Sequence, residues 1–141
     1  MSTQRLADLL QPGRPLLLPC AHDALAARLI EQAGFEAYSI GGFGVIASRL
    51  GLPDVGLASF GEVAAAVRDI AASSRLPVLV DGDDGYGDVK NVTRTVQVYE
   101  SMGVAGLVLE DQTNPKRCGH MAGKSVVAAD AARTLSDRTP A

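Results

Sequence analysis

A chain of 141 residues with 47% hydrophobic and 21% charged side chains has the proportions of one globular domain, which excludes intrinsic disorder. Its net charge of −3 comes from acidic and basic residues interleaved along the sequence, so no basic stripe exists for nucleic acid. No aliphatic run, Leu16-Leu17-Leu18 included, approaches the length of a membrane span, and no apolar stretch of signal-peptide length opens the chain. The two cysteines, Cys20 and Cys118, stand far apart, as expected of reduced thiols in a cytoplasmic protein. Without tryptophan and with 4% aromatics, the core must be aliphatic.

In chain order, Leu16 to Pro19 predicts a first strand that ends at Cys20. His22 to Gly34 predicts a helix with Leu25, Ala26, Leu29, Ile30 and Ala33 on one face and Gly34 at its stop. Ala37 to Ile40 predicts a second strand leading into Gly41 and Gly42, and residues 43–58 read mostly as loop. Ser59 is suited to cap a helix running to about Ser73, with Glu62 three residues on and Phe60, Val63, Ala64, Val67, Ile70 and Ala71 at helical spacing. Pro77 to Val80 predicts a third strand running into Asp81. After a glycine-rich loop, Asn91 to Met102 is helical, with Val92, Val96 and Tyr99 on one face. Ala105 to Leu109 predicts a fourth strand running into Glu110. A polar loop over 111–125, a last helix from Val126 to about Leu135 and a frayed polar tail from Ser136 to Ala141 complete the chain. Short unalternating strands separated by amphipathic helices indicate an α/β fold, a parallel sheet with outer helices, in about four βα units forming one domain over 1–141.

Ligands of such folds bind beyond the carboxyl ends of the strands, so the residues that follow each strand carry the chemistry. They are Cys20, His22 and Asp23 after the first; Gly41, Gly42 and Gly44 after the second; Asp81, Asp83 and Asp84 after the third; Glu110 and Asp111 after the fourth. Five carboxylates after two neighbouring strands repel one another unless a cation intervenes, and a hard divalent ion such as Mg²⁺ is the natural counter-charge. Asp81, Asp83 and Glu110 sit directly at strand ends and are the candidate ligands. Asp84, Asp88 and Asp111 read instead as caps and solvated loop residues. A calcium loop starting at Asp81 is excluded, because its twelfth position is Val92. The segment Gly42-Phe43-Gly44 is open to three readings: a loose dinucleotide fingerprint, a backbone that approaches an anionic substrate, or a tight turn. Cys118, between Lys116-Arg117 and Gly119-His120, has cationic neighbours that favour the thiolate and marks a functional thiol. Cys20 reads as a core residue and His22 as part of the first helical turn.

Four segments together resemble the isocitrate lyase and phosphoenolpyruvate mutase superfamily: Cys20-Ala21-His22-Asp23-Ala24, Gly51-Leu52-Pro53-Asp54, Val80-Asp81-Gly82-Asp83-Asp84-Gly85-Tyr86-Gly87, and Leu109-Glu110-Asp111-Gln112 with Pro115-Lys116-Arg117-Cys118-Gly119-His120. They fall in the family's order over roughly residues 15–127. The resemblance implies a (β/α)₈ barrel and, for this chain, its N-terminal half. It implies a Mg²⁺ site, with Mn²⁺ as an alternative, formed by Asp81, Asp83 and Glu110 near Asp54. It places Gly41, Gly42, Phe43 and Gly44, with Arg117 and Gly119, against a substrate carboxylate. Residues Lys116 to His120 become a gating loop, with Cys118 as the acid that protonates the product and Lys116, His120 and Asp54 beside it as catalytic residues. The implied activity is carbon–carbon bond cleavage of a small 2-hydroxy or 2-oxo carboxylic acid, methylisocitrate-like, through a metal-stabilised enolate. The cysteine loop belongs to the lyase branch, and the phosphonate mutases carry a different one. Oligomeric assembly is also implied.

Two departures stand out. Gly41 replaces a serine frequent in the family, and Asp84 replaces a threonine. A full barrel needs about 250 residues, so strands five to eight are missing from this sequence. That leaves a catalytically inactive remnant, or a phosphonate mutase-like member, as alternatives to the lyase.

Overall fold

The computed structural model describes residues 6–136, with side chains described to Arg133. Residues 137–141, most of the expected polar tail, lie outside the described residues. A short helix α1 (Leu6–Leu9), which sequence periodicity did not reveal, buries Leu6 and Leu9 against Ala37. The helix α2 (Ala24–Gln32) starts where Asp23 accepts a hydrogen bond from the Ala26 amide at 2.7 Å. Its buried side is Ala27 with Ala26 and Ile30 packed behind it, whereas Leu25 and Leu29 are exposed. The expected apolar face was therefore displaced by part of a turn.

Three strands form one parallel sheet in the order β1 (Tyr38–Ile40), β2 (Val78–Asp81), β3 (Gly106–Val108). The register sets Ser39 beside Leu79 and Val80 beside Leu107. The expected first strand, Leu16 to Pro19, is not a strand. It is an extended segment joined to β1 by a single parallel bridge, Cys20 to Ser39, in which the Ala21 amide donates to Ser39 O at 2.8 Å and Ser39 N to Pro19 O at 2.9 Å. Pro15 and Pro19 have no N–H to offer a ladder, which limits the pairing to this contact.

The principal correction concerns residues 43–58. They open with a helix, α3 (Gly42–Leu50), that buries Val45 and Ile46 and stops at Gly51 in the left-handed conformation, φ 66°. Two glycines and two β-branched residues make a poor helix by propensity, and packing against the core decides the outcome. The helix α4 (Phe60–Ala72) has the expected capping box: Ser59 Oγ accepts from the Glu62 amide, and Glu62 Oε2 accepts from the Ser59 amide at 2.8 Å. Asp88 caps α5 (Val89–Ser101), which buries Val92, Thr95 and Tyr99. A last helix, α6 (Ala129–Ser136), follows the long loop. The core lies between the sheet and α3, α4 and α5, around Ile40, Val67, Val80 and Tyr99. The consecutive order of the parallel strands leaves β3 at an edge, with Val108 exposed. Among the described residues no helix is long and apolar enough to cross a membrane.

Candidate active site

The strand ends converge as the sequence implied. Asp81 closes β2 half-buried. Its Oδ2 accepts from the Gly42 amide at 3.1 Å, and its Oδ1 accepts from the Asp83 amide at 3.1 Å. The first bond ties the N-terminus of α3 to the acid, and glycine leaves room for it: a Cβ on Gly42 would crowd Asp81 Oδ2 at 3.3 Å. Asp83 is buried, at φ 50°, a conformation that aspartate tolerates better than most residues. Its carbonyl accepts from the Glu110 amide at 2.7 Å, which locks the ends of β2 and β3 together.

An open cavity of about 440 Å³ lies over these ends. Asp54, Asp81 and Glu110 line its acidic side, and Gly41, Gly42, Phe43 and Gly44 line another. Cys118, Gly119 and His120 reach it from the loop after β3. The His120 ring meets Phe43 edge-on, with centroids 6.0 Å apart, so the loop rests on the start of α3. Cys118 Sγ is 3.6 Å from His120 Nδ1. The Phe43 and Gly44 amides, in the first turn of α3, belong to the positive end of the helix, a natural position for a carboxylate. Of the three readings of Gly42-Phe43-Gly44, an anion-approaching backbone agrees with this placement.

Several expectations need correction. Arg117 does not line the cavity. Its amide donates to Gln112 Oε1 at 3.2 Å, its carbonyl accepts from Gln112 Nε2 at 3.0 Å, and its side chain is exposed toward Gly123. Lys116 also leaves the cavity's lining. It is buried, 6% exposed, between Asp54, 2.8 Å from its Oδ1, and Asp83, with which it makes a close ion pair. Burial alone would pull the Lys116 ammonium down, but hydrogen bonds and charge from Asp54 and Asp83 outweigh it and hold its pKa above the ordinary lysine value. Cys20, expected in the core, is exposed and lines the cavity, because its strand is only an extended edge. His22 lines it too, beside its partner Asp23 at 3.6 Å. Gln112 stood in the Leu109–Gln112 motif with no role of its own assigned, yet its Nε2 donates to Glu110 Oε2 at 2.7 Å as well as to the Arg117 carbonyl. Asp84, read as a loop residue, accepts from the Tyr86 amide at 2.8 Å and from Asn114 Nδ2 at 2.7 Å, pinning the two loops together.

Asp81, Asp83 and Glu110 are not gathered as a ligand set; among the described residues no group of three or more His, Cys, Asp or Glu is arranged to hold a metal ion. Asp83 turns to Lys116 instead, since a buried carboxylate without a counter-charge is costly and the ammonium is at hand. Burial raises the Asp83 carboxyl above its ordinary value against the pull of Lys116, and the charges of Asp81 and Asp54 add to the rise. Burial likewise raises Glu110, against Lys116 and the Gln112 hydrogen bond. The donor chemistry nevertheless fits Mg²⁺. Asp81 and Glu110 offer hard oxygens to one cavity, and that ion uses one or two protein carboxylates with waters or substrate oxygens in its remaining positions.

A parallel sheet in consecutive strand order, interleaved with helices and carrying acidic residues at its strand ends, is half of a (β/α)₈ barrel. The phosphoenolpyruvate phosphomutase family profile matches residues 6–139, and the chain belongs to that family. It is 44% identical over 123 residues to 2,3-dimethylmalate lyase of Eubacterium barkeri, covering 87% of this chain and 43% of the relative. It is 45% identical over 123 residues to 2-methylisocitrate lyase of Halalkalibacterium halodurans, covering 87% and 41%. Among solved structures, oxaloacetate acetylhydrolase in complex with 3,3-difluorooxalacetate superimposes with a TM-score of 0.88 at 38% identity, covering 95% of this chain and 46% of that one. Phosphonopyruvate hydrolase in complex with oxalate and Mg²⁺ superimposes with a TM-score of 0.74 at 31% identity, covering 89% and 42%. The chain thus spans less than half the length of each of these relatives.

Proposed function

We propose that this chain carries the metal-and-loop half of a lyase site that cleaves a carbon–carbon bond in a small 2-hydroxy or 2-oxo carboxylic acid. The observation that carries the reading is that Cys118 shares one cavity with Asp54, Asp81, Glu110 and the start of α3. Asp81 and Glu110 are the residues that would hold Mg²⁺, with Asp54 lining the same cavity. Bound Mg²⁺ supplies positive charge against the negative charge that cleavage releases. The Phe43 and Gly44 amides orient a substrate carboxylate. Cys118 donates a proton to the carbon left by cleavage, and His120, beside its sulfur in the same cavity, takes up the proton that the substrate hydroxyl gives up and returns one to the thiolate. The loop's contact with Phe43 keeps water from that carbon. The similarity to dimethylmalate and methylisocitrate lyases supports cleavage of a carbon–carbon bond over phosphorus–carbon chemistry.

The test is incubation of the purified chain with Mg²⁺ and either 2,3-dimethylmalate or 2-methylisocitrate, with cleavage products followed by mass spectrometry. Product that Cys118→Ser abolishes, with Mg²⁺ affinity kept, supports the reading. Product formation that survives Cys118→Ser refutes the acid assignment. The chain's coverage of less than half of its relatives favours a second reading, binding without turnover. It predicts saturable Mg²⁺ and oxalate binding with no cleavage of either acid.

A further inference from the structure

One neutral side chain joins two parts of the site that stand apart along the backbone. Glu110 is fixed at the end of β3, its amide bonded to the Asp83 carbonyl at 2.7 Å. Cys118 stands in the loop that follows, and Gln112 spans the gap. Its Nε2 donates to Glu110 Oε2 at 2.7 Å and to the Arg117 carbonyl at 3.0 Å, and its Oε1 accepts from the Arg117 amide at 3.2 Å. A primary amide has two N–H donors and a carbonyl acceptor, so it can satisfy a carboxylate, a C=O and an N–H at once. Neither a carboxylate nor an ammonium side chain can do so. The bonded Arg117 carbonyl lies in the same planar peptide unit as the Cys118 amide, so holding that plane sets the direction in which the chain enters Cys118. Lys116 anchors the preceding residue through a long side chain, which leaves the main-chain direction free. The Cys118 carbonyl accepts from the Met121 amide at 2.9 Å, in a turn internal to the loop. Arg117 and Gly119, on either side of the cysteine, are exposed, so burial does little to hold this stretch and hydrogen bonds decide where the sulfur stands.

We propose that Gln112 is a positioning residue of this site: it carries the fixed placement of Glu110 through to Cys118, so that acid and thiol face one cavity together. The roles of those two groups rest on the lyase reading above, and their placement rests on the hydrogen bonds of Gln112. Because Gln112 takes Oε2, Oε1 of Glu110 is outside this bond, and the tether does not compete with a metal for the whole carboxylate.

The test uses the whole chain. Gln112→Met keeps the length of the side chain and removes its hydrogen bonds. Alkylation by iodoacetamide at about pH 8 is followed by mass spectrometry, with Cys20 of the same cavity as internal standard. Gln112→Met should raise the rate at Cys118 relative to Cys20 by about fivefold or more, since a half-buried thiol gains access when its segment is released. Ser59→Ala, which weakens the α4 cap without touching these bonds, should leave the ratio unchanged. A ratio that is unchanged or lower in Gln112→Met, or raised as much in Ser59→Ala, overturns the proposal. Should Gln112→Met fail to fold, Gln112→Ala repeats the measurement, and hydrogen exchange on the original chain tests the same bond. There the Arg117 amide should exchange about tenfold or more slowly than an unprotected amide, and unprotected exchange overturns the proposal. Turnover separates the proposal from the reading it rests on. With Mg²⁺ and 2-methylisocitrate, Gln112→Met should lower kcat about tenfold or more and keep KM within about twofold, as when a proton donor is misplaced and the substrate contacts are kept. An unchanged kcat overturns the proposal. No cleavage by the original chain overturns the lyase reading alone, and the alkylation ratio still decides the role of Gln112.

Discussion

Lys116→Met has a consequence for stability that can be worked from the distances. The ammonium lies 2.8 Å from Asp54 Oδ1 and closer still to Asp83. At an effective dielectric constant of about 20, one such pair attracts with roughly 6 kcal/mol before desolvation. Desolvation consumes several kcal/mol per ion, so the net worth of the intact triad is small. Removing only the cation is another matter: two carboxylates, each 8% exposed, are left buried with no counter-charge. Loss of about 3–5 kcal/mol is expected at neutral pH, a large share of a domain's total stability of about 5–15 kcal/mol. The pH dependence has a definite sign. Burial already raises the Asp83 carboxyl above its unfolded value of about 4, and the variant removes the opposing pull of Lys116, so this penalty is absent below that pH and grows as pH rises toward the folded value. Urea unfolding followed by circular dichroism, at neutral pH and near pH 4, measures both effects. Adding Asp54→Asn and Asp83→Asn to Lys116→Met should restore most of the loss. A loss under about 1 kcal/mol at neutral pH, or one that does not shrink in acid, would refute the buried-triad reasoning.

Other perturbations give independent checks. Gly85→Ala combines a backbone at φ 81° with a Cβ that would clash with the Val92 side chain, in the packed interior. It should cost about 3 kcal/mol or more by urea unfolding, and a loss under about 1 kcal/mol would sink that reading. Ser59→Ala, which breaks the capping box of α4, should cost about 1 kcal/mol, and an unchanged midpoint would show the cap to be redundant. Tyr38 and Tyr99 are each pushed up to about 12, Tyr38 first by burial and then by the charge of Glu31, Tyr99 chiefly by burial. Their folded pKa lies above the unfolded value of about 10, so their contribution is complete below that pH and is lost as pH climbs from about 10 to 12. Tyr38→Phe should flatten this alkaline decline, and an identical slope in the variant would remove Tyr38 from the account.

The strong periodicities were legible: the Ser59 capping box and the α4 face, the Val92–Tyr99 face of α5, and the entry of two strands into Asp81 and Glu110. What was hidden has three physical causes. The helix α3 has a sequence that disfavours helix, and only the burial of Val45 and Ile46 against distant residues selects it. The first strand reads as aliphatic, but pairing needs amide donors, and prolines stand at its last position and just before its first. In the site, Asp54, Asp81, Glu110, the Gly41–Gly44 segment and Cys118, all marked by residue type or motif, line one cavity, whereas Asp83 lies off it. Residue type did not tell which charge Asp83 would choose, since a lysine in a polar-looking loop gives no sign that its side chain runs inward. Gln112 was equally silent, because an amide that joins a carboxylate to a backbone carries no charge pattern.

The ring contact between Phe43 and His120 has a practical side. Phe43 is half exposed, its ring 6.0 Å from an imidazole on the cysteine loop, and the chain contains no tryptophan. An indole introduced by Phe43→Trp would therefore be the chain's single such fluorophore, seated where the loop touches the barrel. Indole emission responds to the groups packed against it, so its brightness and wavelength become a gauge of how far the cysteine loop stands from position 43. The loop contact can thus be followed in solution by emission alone, with no other indole in the chain.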